Sequence, residues 1–381
     1  MGPLEGVRVV EIAGIGPGPF CAMMLADMGA DVVRVDRATA VRGGDPGAPP
    51  ADVMSRGRRS VGVDLKSDRG VDTVLRLVDG ADALLEGFRP GVAERLGIGP
   101  EECLARNPGL VYGRVTGWGQ DGPYALSAGH DINFISLAGA LEPMGRRGQP
   151  PVPPLNLVGD FGGGGMMLAF GLVCGILEAR TSGRGQVVDA AMVDGAATLM
   201  TMFHGMRAMG VWNDERGTNL LDTGAHFYDI YETADGKYVT IAPIEPQFWA
   251  VLMEKLGLDA ATLPDRDDAS QWDALIAILR DVFLTKTRDE WQELLEGTDA
   301  CFAPVYRLSE AHEHPHNVAR GLFRPTPTGG RELVPIPRFS RTPGQPGPSY
   351  AYAGADTEEV LGEFGFDHHD IAKLRAGGAV A

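Results

Sequence analysis

The sequence predicts an α/β protein with a largely parallel, doubly wound sheet, followed by a smaller α+β domain. Short apolar runs alternate with amphipathic stretches as far as residue 117, which is typical of buried parallel strands separated by helices. Near residue 225 this alternation gives way to a hairpin pattern. The chain has 381 residues, 44% of them hydrophobic, and is therefore long enough to bury two cores.

The first part of the chain contains five predicted strands. Each is a short apolar run between turn-forming residues, and all but the run at 81–87 contain several β-branched residues, as expected of strands that are buried on both faces. Between the third and the fourth run, an amphipathic pattern predicts a helix over 71–81. The five runs are 7–14, 31–36, 60–65, 81–87 and 110–117.

The turn after the first strand resembles a nicotinamide-binding loop but departs from it chemically. The dinucleotide fingerprint G-x-G-x-x-G needs its third glycine for close packing of helix on strand. Here Gly14 and Gly16 are followed by Pro19 in the third place. Pro17 and Pro19 also lack the N–H groups that hold phosphate. We therefore still predict the strand–helix–strand topology, but we expect it to bind a ligand other than NAD.

Two motifs with acid–base groups interrupt the pattern after residue 117. In "GHDINF" (129–134) an imidazole and a carboxylate stand at a predicted helix start, where free N–H groups stabilise negative charge. In "GDFGGGG" (159–165) Asp160 directly precedes four glycines at the start of another helix. His130 and Asp160 are therefore candidate catalytic groups. Each motif also fits a structural interpretation, as a cap at Asp131 and as a capped helix whose glycines permit tight packing.

The second half of the chain predicts two apolar helices, a small domain and a tail. The helices cover 162–185 and 190–210, and a polar linker follows them. Asp235-Gly236 is a turn signal for a hairpin in the small domain, and Glu245 stands at the end of that hairpin. Past residue 320 prolines become frequent, and spaced aromatic residues favour an extended strap that returns over the first domain.

Composition argues against several classes of function. A formal charge of −17 argues against a nucleic-acid partner, because such binding rests on Lys and Arg neutralising phosphates. No uninterrupted apolar run reaches the roughly 20 residues of a membrane span, and no export signal is visible. We therefore expect a cytoplasmic protein outside the membrane. The four cysteines are scattered, without a C-x-x-C pair for zinc or redox chemistry.

One region is basic despite the acidic total. Seven Arg and Lys residues fall between positions 34 and 66, near the predicted mouth of the sheet. Because the guanidinium group matches the geometry of phosphate, the cluster predicts a small polyanionic ligand; the alternative is a solvated surface. Its members are Arg34, Arg37, Arg42, Arg56, Arg58, Arg59 and Lys66.

Several blocks of the sequence together resemble one family. They include "IAGIGPGPFCAMMLADMGADVVRVDR", "GRRSVGVDL", "GFRPGVAERLG", "AGHDINF", "PLNLVGDFGGG" and "IEPQFW". The combination, spread from residue 2 to about residue 305, is similar to the α-methylacyl-CoA racemases, a family within the family III CoA-transferase superfamily. The resemblance implies an interlocked homodimer whose active sites lie between the large domain of one subunit and the small domain of the other.

The resemblance also implies a reaction and its residues. The enzyme would interconvert (2R)- and (2S)-2-methylacyl-CoA thioesters by moving the α-proton through an enolate, with no metal or other cofactor. The catalytic pair falls on His130 and Asp160, and a supporting acid, Glu245, would orient His130. The implied contacts to CoA and the acyl group are Arg37, Gly62, Val63, Asp64, Leu65, Arg89, Arg95, Gly129, Asp131, Ile132, Asn133, Phe134 and Tyr228.

The implied domain boundaries follow the changes in pattern. A large CoA-binding domain covers 1–190, a helical linker 191–224, a small domain 225–320, and the strap with a C-terminal helix 321–381. Two residues depart from the family pattern. Thr223 and His226 stand where glycine and proline are expected, which puts the local shape near Tyr228 in question and adds a second imidazole.

Two other functions stay open. A CoA-transferase of the same superfamily would use Asp160 as a nucleophile and form acyl-enzyme anhydrides. A non-catalytic acyl-CoA-binding protein would not need opposed acid and base groups. Because neither function requires His130 and Glu245 together with Asp160, the sequence favours the racemase.

Overall fold

The computed structural model describes residues 2–41, 52–326 and 329–381, so Arg42 lies outside the described residues. The chain divides into two compact units. The first comprises Met1–Ala138, Leu155–Leu199 and Ala319–Ala381, and the second comprises Gly139–Pro154 and Met200–Val318. The second unit thus contains most of the segment that the sequence predicts to be a linker.

A six-stranded parallel sheet forms the frame of the first unit. Its order is β3-β2-β1-β4-β5-β6. The five strands predicted from the sequence are confirmed. The sixth, an edge strand, is not predicted, because "QVVDAA" is short and lies between two apolar helices. The strands are β1 (Arg8–Ile12), β2 (Asp31–Arg37), β3 (Arg58–Val63), β4 (Ala83–Glu86), β5 (Val111–Thr116) and β6 (Gln186–Ala191).

This strand order determines where a ligand can bind. The chain builds outward from β1 to β3 and then crosses back to β4, so the order reverses between β1 and β4. In open α/β sheets, ligands bind outside the carboxyl ends of the strands at this crossing. The Gly14–Gly18 turn follows β1 and the Gly87–Gly91 turn follows β4. Both turns therefore border the expected binding edge.

Helices cover both faces of the sheet, as a parallel sheet requires. One core contains Val74 and Leu77, and the core on the other face contains Leu25, Leu168 and Leu172. The helices of the first unit are α1 (Pro17–Asp27), α2 (Asp68–Asp79), α3 (Val92–Arg95), α4 (Pro100–Arg106), α5 (Asp131–Leu137), α6 (Met167–Ser182) and α7 (Met192–Leu199). The predicted helix over 71–81 is confirmed by α2.

The four glycines after Asp160 permit helices to cross closely. The chain is π-helical from Leu157 to Met166 and continues as α6. A Cβ at Gly163 would lie 2.7 Å from the Ala196 nitrogen, and a Cβ at Gly165 would lie 2.7 Å from the Phe20 ring. Side chains here would push away α7 and α1. The glycine run is therefore explained by tight helix packing.

The same helix passes a compositional test for membrane spans. Leu157–Ser182 is the one helix in the described part of the chain that is long and apolar enough to cross a membrane. This helix does not stand out as an uninterrupted apolar run in the sequence, because Asp160 interrupts it. Leu168, Leu172 and Ile176 on this helix pack into the core of the first unit. Burial accounts for part of its apolar composition.

The predicted single helix over 190–210 is wrong. Residues up to Ala191 belong to β6, α7 ends at Leu199, and a separate helix, α8 (Thr201–Ala208), begins after Met200. This break coincides with the boundary between the two units. Hydrophobic pattern alone does not mark it, because both short helices are rich in methionine and alanine.

The second unit is built around a three-stranded antiparallel sheet in the order β7-β8-β9. The predicted hairpin turns at Gly236, which has a positive φ of 68° that glycine adopts without strain. Its core includes Tyr231, Trp249, Phe283 and Trp291. The elements are α8 (Thr201–Ala208), β7 (Asp229–Glu232), β8 (Tyr238–Ile241), α9 (Pro246–Leu256), α10 (Trp272–Phe283), α11 (Arg288–Leu295), β9 (Phe302–Pro304) and α12 (Pro315–Ala319).

The tail returns to the first unit and ends on its edge strand. The Gly57 N–H donates to the Pro348 carbonyl at 2.7 Å, and the Ala381 N–H donates to the Gly62 carbonyl at 3.0 Å. Val360 and Leu361 complete the core beside α2. The remaining elements are β10 (Phe323–Pro325), β11 (Arg331–Leu333), α13 (Thr357–Glu363) and α14 (His368–Ala376).

Most of the basic cluster is paired inside the protein, which corrects its interpretation as a phosphate site. Carboxylates within the first unit already neutralise four of the arginines, three of them buried or nearly so, so these four are not available to a ligand. The pairs join Arg34 and Arg58 to Glu11 at 2.8 and 2.9 Å, Arg56 to Asp27 at 2.6 Å, and Arg59 to Asp31 at 2.8 Å.

Candidate active site

His130 stands at the start of α5, which follows β5 at the carboxyl edge of the sheet. Its backbone is extended (φ −132°, ψ 173°), and its side chain is exposed. The His130 N–H donates to the Asn133 Oδ1 atom at 3.1 Å, and the Asn133 N–H donates back to the His130 carbonyl at 2.8 Å. These two bonds fix the backbone from which the imidazole projects.

Asp160 lies in the first turn of the π-helix, and its carboxylate is held by a near neighbour. The Asn156 side-chain amide donates to the Asp160 Oδ2 atom at 3.0 Å. Gly16, in the turn after β1, has a φ of 69°, and a Cβ there would lie 3.4 Å from the same oxygen. Asn156 and Gly16 are not among the site residues predicted from the sequence. The i,i+4 spacing of Asn156 and Asp160 was the available signal.

Asp131 links the two helix starts. Its Oδ2 atom accepts hydrogen bonds from the Gly159 N–H at 2.6 Å and the Asp160 N–H at 2.7 Å. The structure thereby brings Asp160 within one hydrogen bond of the residue that follows His130. Burial raises the pKa of the Asp131 carboxyl, the two N–H bonds oppose that effect, and the charge of Asp160 adds to it.

The other predicted residues around His130 pack against one another. A Cβ at Gly129 would lie 2.8 Å from the Phe134 ring and 3.0 Å from the Trp118 ring, so only glycine fits there. Phe134 and Trp118 meet edge to face, with ring centroids 4.8 Å apart. Ile132 is exposed beside His130. Gly129 and Phe134 therefore shape the backbone, and Ile132 presents an apolar surface.

The residues expected to contact CoA follow the carboxyl ends of β2, β3 and β4. Arg37, Arg89 and Arg95 are exposed there. Gly62 and Val63 are buried in β3, and a Cβ at Gly62 would lie 2.5 Å from the Val41 side chain and 3.1 Å from the Ala381 carbonyl. The glycine at 62 thus accommodates the C-terminus. Asp64 and Leu65, just past the strand, are partly exposed.

Glu245 and Tyr228 belong to the second unit. Glu245 is exposed and precedes α9, and its carbonyl accepts from the Phe248 and Trp249 N–H groups at 3.1 Å each. The Arg266 guanidinium donates to the Ile244 carbonyl at 2.6 Å and lies over the rings of Phe227 and Trp249. Arg266 therefore fixes the turn that presents Glu245. Tyr228 is half-exposed just before β7.

His226 is a core residue of the second unit. Its side chain is 0% exposed and lies 4.8 and 4.9 Å, centroid to centroid, from the rings of Phe227 and Trp249. Burial, together with the charge of Arg266, lowers the pKa of the His226 imidazole to about 3. Neither ring nitrogen has a hydrogen-bond partner among the described residues. His226 is therefore neutral near pH 7 and does not serve as an acid.

The arrangement in the first unit is suited to proton transfer. It combines an imidazole and a carboxylate, two side-chain types that can each act as a base and as its conjugate acid. Both project from helix starts, and both helix starts are tied to one buried carboxylate. Reacting groups held this way need little reorganisation when substrate binds.

Comparisons with known proteins agree on one group of relatives. A family model described as CoA-transferase family III matches residues 4–357. A mouse alpha-methylacyl-CoA racemase is 46% identical over 380 residues, covering 98% of this chain and 96% of the mouse protein. Its human counterpart is 42% identical over 375 residues, with the same coverage. The crystal structure of a CAIB/BAIF family protein from Brucella suis matches with a TM-score of 0.80 at 25% identity, covering 95% of this chain and 99% of that one.

Proposed function

Because this chain belongs to CoA-transferase family III, we propose that it is an isomerase that interconverts the (2R) and (2S) forms of 2-methylacyl-CoA thioesters. The proposal extends to this chain the activity named for its mouse and human relatives, each more than 40% identical over nearly the full length. Within the site, the observation that carries it is the presence of two different bases, His130 and Asp160, on helix starts joined through Asp131.

The chemistry accounts for both bases. Inversion requires one base to remove the weakly acidic α-proton and a conjugate acid to return a proton to the opposite face. In one direction His130 is the base and Asp160 the acid, and in the other direction they exchange roles. The oxygen of the intermediate enolate needs preorganised donors, for which we propose the N–H groups in the first turn after His130.

We propose that the enzyme is a homodimer in which the second unit of the partner subunit supplies Glu245 to orient His130. An exposed apolar face supports this proposal. On α6, Phe170 and Leu177 are each 70% exposed and lie two turns apart on the same side of the helix. Large apolar side chains exposed together on one helix face are typical of a surface that contacts another protein.

The CoA moiety is proposed to bind along the carboxyl edge of the sheet. Arg37, Arg89 and Arg95 have exposed guanidinium groups suited to phosphates, and Asp64 and Leu65 border the same edge. Gly129, Ile132 and Tyr228 would line the acyl end. The proposed reaction moves only protons, so we propose that it needs no resident cofactor. We also propose a cytoplasmic location, which agrees with four unpaired cysteines.

The experiment that tests this function separates racemisation from CoA transfer. The enzyme is incubated with one enantiomer of a 2-methylacyl-CoA, with and without a carboxylic acid acceptor, and the products are resolved by chiral chromatography. We expect inversion at the same rate in both samples and no inhibition by hydroxylamine. Acceptor-dependent turnover that hydroxylamine blocks would instead identify an acyl-enzyme anhydride on Asp160, and with it a transferase.

A further inference from the structure

We infer that Asp131 is a positioning residue: its carboxylate holds the Asp160 backbone at a fixed place relative to His130, and so sets the separation of the two bases. The inference rests on the proposed racemase function and assigns to this side chain a role other than direct contact with substrate. It begins from the position of Asp131, the first residue of α5, directly after His130.

The bonds of Asp131 take the place of a helix cap. The first N–H groups of a helix have no intrahelical acceptor and need a partner from outside. Asn156 immediately precedes the π-helix and has a side chain of the capping type, but its amide donates to the Asp160 carboxylate instead. The orphan N–H groups of Gly159 and Asp160 bind Asp131, which lies 28 and 29 residues earlier in the chain.

Together, Asp131 and Asn156 hold both the backbone and the side chain of Asp160. Its backbone is fixed by Asp131 and its carboxylate by Asn156, so the charged group has little freedom. Asp131 is 5% exposed, and its Oδ1 atom has no hydrogen-bond partner within the described residues. A buried carboxylate with an unpartnered oxygen is costly, and a purely structural cap would be better served by a neutral or exposed residue.

Packing makes the contact specific. A Cβ at Gly159 would lie 2.5 Å from the Asp131 Oδ2 atom, which is closer than any atoms tolerate without displacement. The glycine before Asp160 is therefore required by Asp131. The same contact can be broken from either side, by changing Asp131 or by adding a side chain at Gly159.

The test compares Asp131→Ala, Asp131→Asn and Gly159→Ala in the full chain. Asp131→Ala should lower kcat for inversion by about 100-fold, the cost of a displacement near 1 Å, with KM changed less than about threefold. Asp131→Asn keeps an oxygen that can accept both N–H bonds, so kcat should fall less in this variant than in Asp131→Ala. Gly159→Ala should reproduce the loss of kcat with Asp131 intact. The control is Asp367→Ala, which removes a helix cap on α14 and should leave kcat unchanged.

Hydrogen–deuterium exchange without substrate supplies the second readout. The peptide that covers Leu157–Met166 should exchange faster in Asp131→Ala and in Gly159→Ala than in the wild type or Asp131→Asn. Unchanged kcat in folded Asp131→Ala or Gly159→Ala, or unchanged exchange in both, would overturn the inference. If Asp131→Ala does not fold, Gly159→Ala decides. If the wild type fails to invert the thioester, the proposed function fails, and the exchange measurement still decides whether Asp131 holds the helix start.

Discussion

At the residue scale, His226 shows how burial can remove an imidazole from acid–base chemistry. The ring lies in the core of the second unit, against Phe227 and Trp249 and near Arg266. Its pKa of about 3 means that the folded protein keeps it neutral, whereas an unfolded chain protonates a histidine below about pH 6.5. This difference between the folded and unfolded states makes the free energy of unfolding depend on pH.

Because the pKa of His226 is lower in the folded state than in the unfolded state, the protein should lose stability as the pH falls. Below about pH 6.5 the unfolded state binds a proton that the folded state does not, so the free energy of unfolding falls as the pH falls towards 3. Relative to a His226→Phe variant, the wild type should lose about 2 kcal/mol more between pH 7 and pH 5. Urea denaturation of both proteins at the two pH values measures this. Equal losses would show that His226 titrates normally in the fold.

Sequence could identify the reacting side chains but not what holds them. His130 and Asp160 stand out by chemical type and by their place at helix starts. Asn156 and Asp131 bind Asp160 from 4 and 29 positions away in the sequence. Only the spacing of four residues predicts a contact, because residues i and i+4 are neighbours on a helix. The ion pairs of the basic cluster cannot be predicted from the sequence for the same reason. The pairing of Arg58 with Glu11 spans 47 residues and depends on the order of the strands.

At the element scale, the π-helix that carries Asp160 depends on close contact between glycine backbones. Gly163 in that helix and Gly195 in α7 face each other so closely that a Cβ at Gly195 would lie 1.9 Å from the Gly163 carbonyl oxygen. The glycine run in the sequence predicts that another backbone approaches this helix closely, but it does not indicate which part of the chain that backbone belongs to. That neighbour follows β6, the strand that the sequence pattern misses.

A methyl group at Gly195 should therefore separate the two helices. Gly195→Ala should lower the free energy of unfolding by about 1–3 kcal/mol through overpacking, and should lower kcat because the Asp160 helix moves. Gly205→Ala is the matched control. A Cβ there meets nothing within 4 Å, so alanine should stabilise α8 by about 0.5–1 kcal/mol without changing activity. Thermal denaturation and initial rates compare the two, and a Gly195→Ala protein as stable and active as the wild type would contradict this packing.

At the scale of the whole molecule, the candidate residues are divided between two compact units. His130 and Asp160 belong to the first unit and Glu245 to the second. The parallel sheet and the hairpin of the second unit could be predicted from local patterns, but the order of the strands could not. The placement of Gly139–Pro154 in the second unit could not be predicted either, because its contacts join residues far apart in the sequence. One example is the ion pair of Arg146 with Asp229 at 2.7 Å, 83 residues apart.

Subunit complementation tests whether the His130 and the Glu245 of one active site come from different chains. His130→Ala and Glu245→Ala chains, each impaired alone, are co-expressed with different tags, and the mixed dimer is purified. If each site combines two subunits, one site of the mixed dimer is intact and activity should be about half that of the wild type. The control is a dimer with both substitutions in each chain. A mixed dimer no more active than the average of the two single-variant dimers would show that each chain supplies all its own residues.

Solvent deuterium can report whether His130 and Asp160 move an α-proton between opposite faces of the thioester. Enantiopure 2-methylacyl-CoA is incubated with the wild-type enzyme in D2O, without any acceptor acid, and followed by proton NMR and chiral analysis. We expect the inverted product to carry deuterium at C2, because the acid that returns a proton is not the base that removed it. Retention of the C2 proton with no inversion, followed by CoA transfer when a carboxylic acid is added, would contradict it.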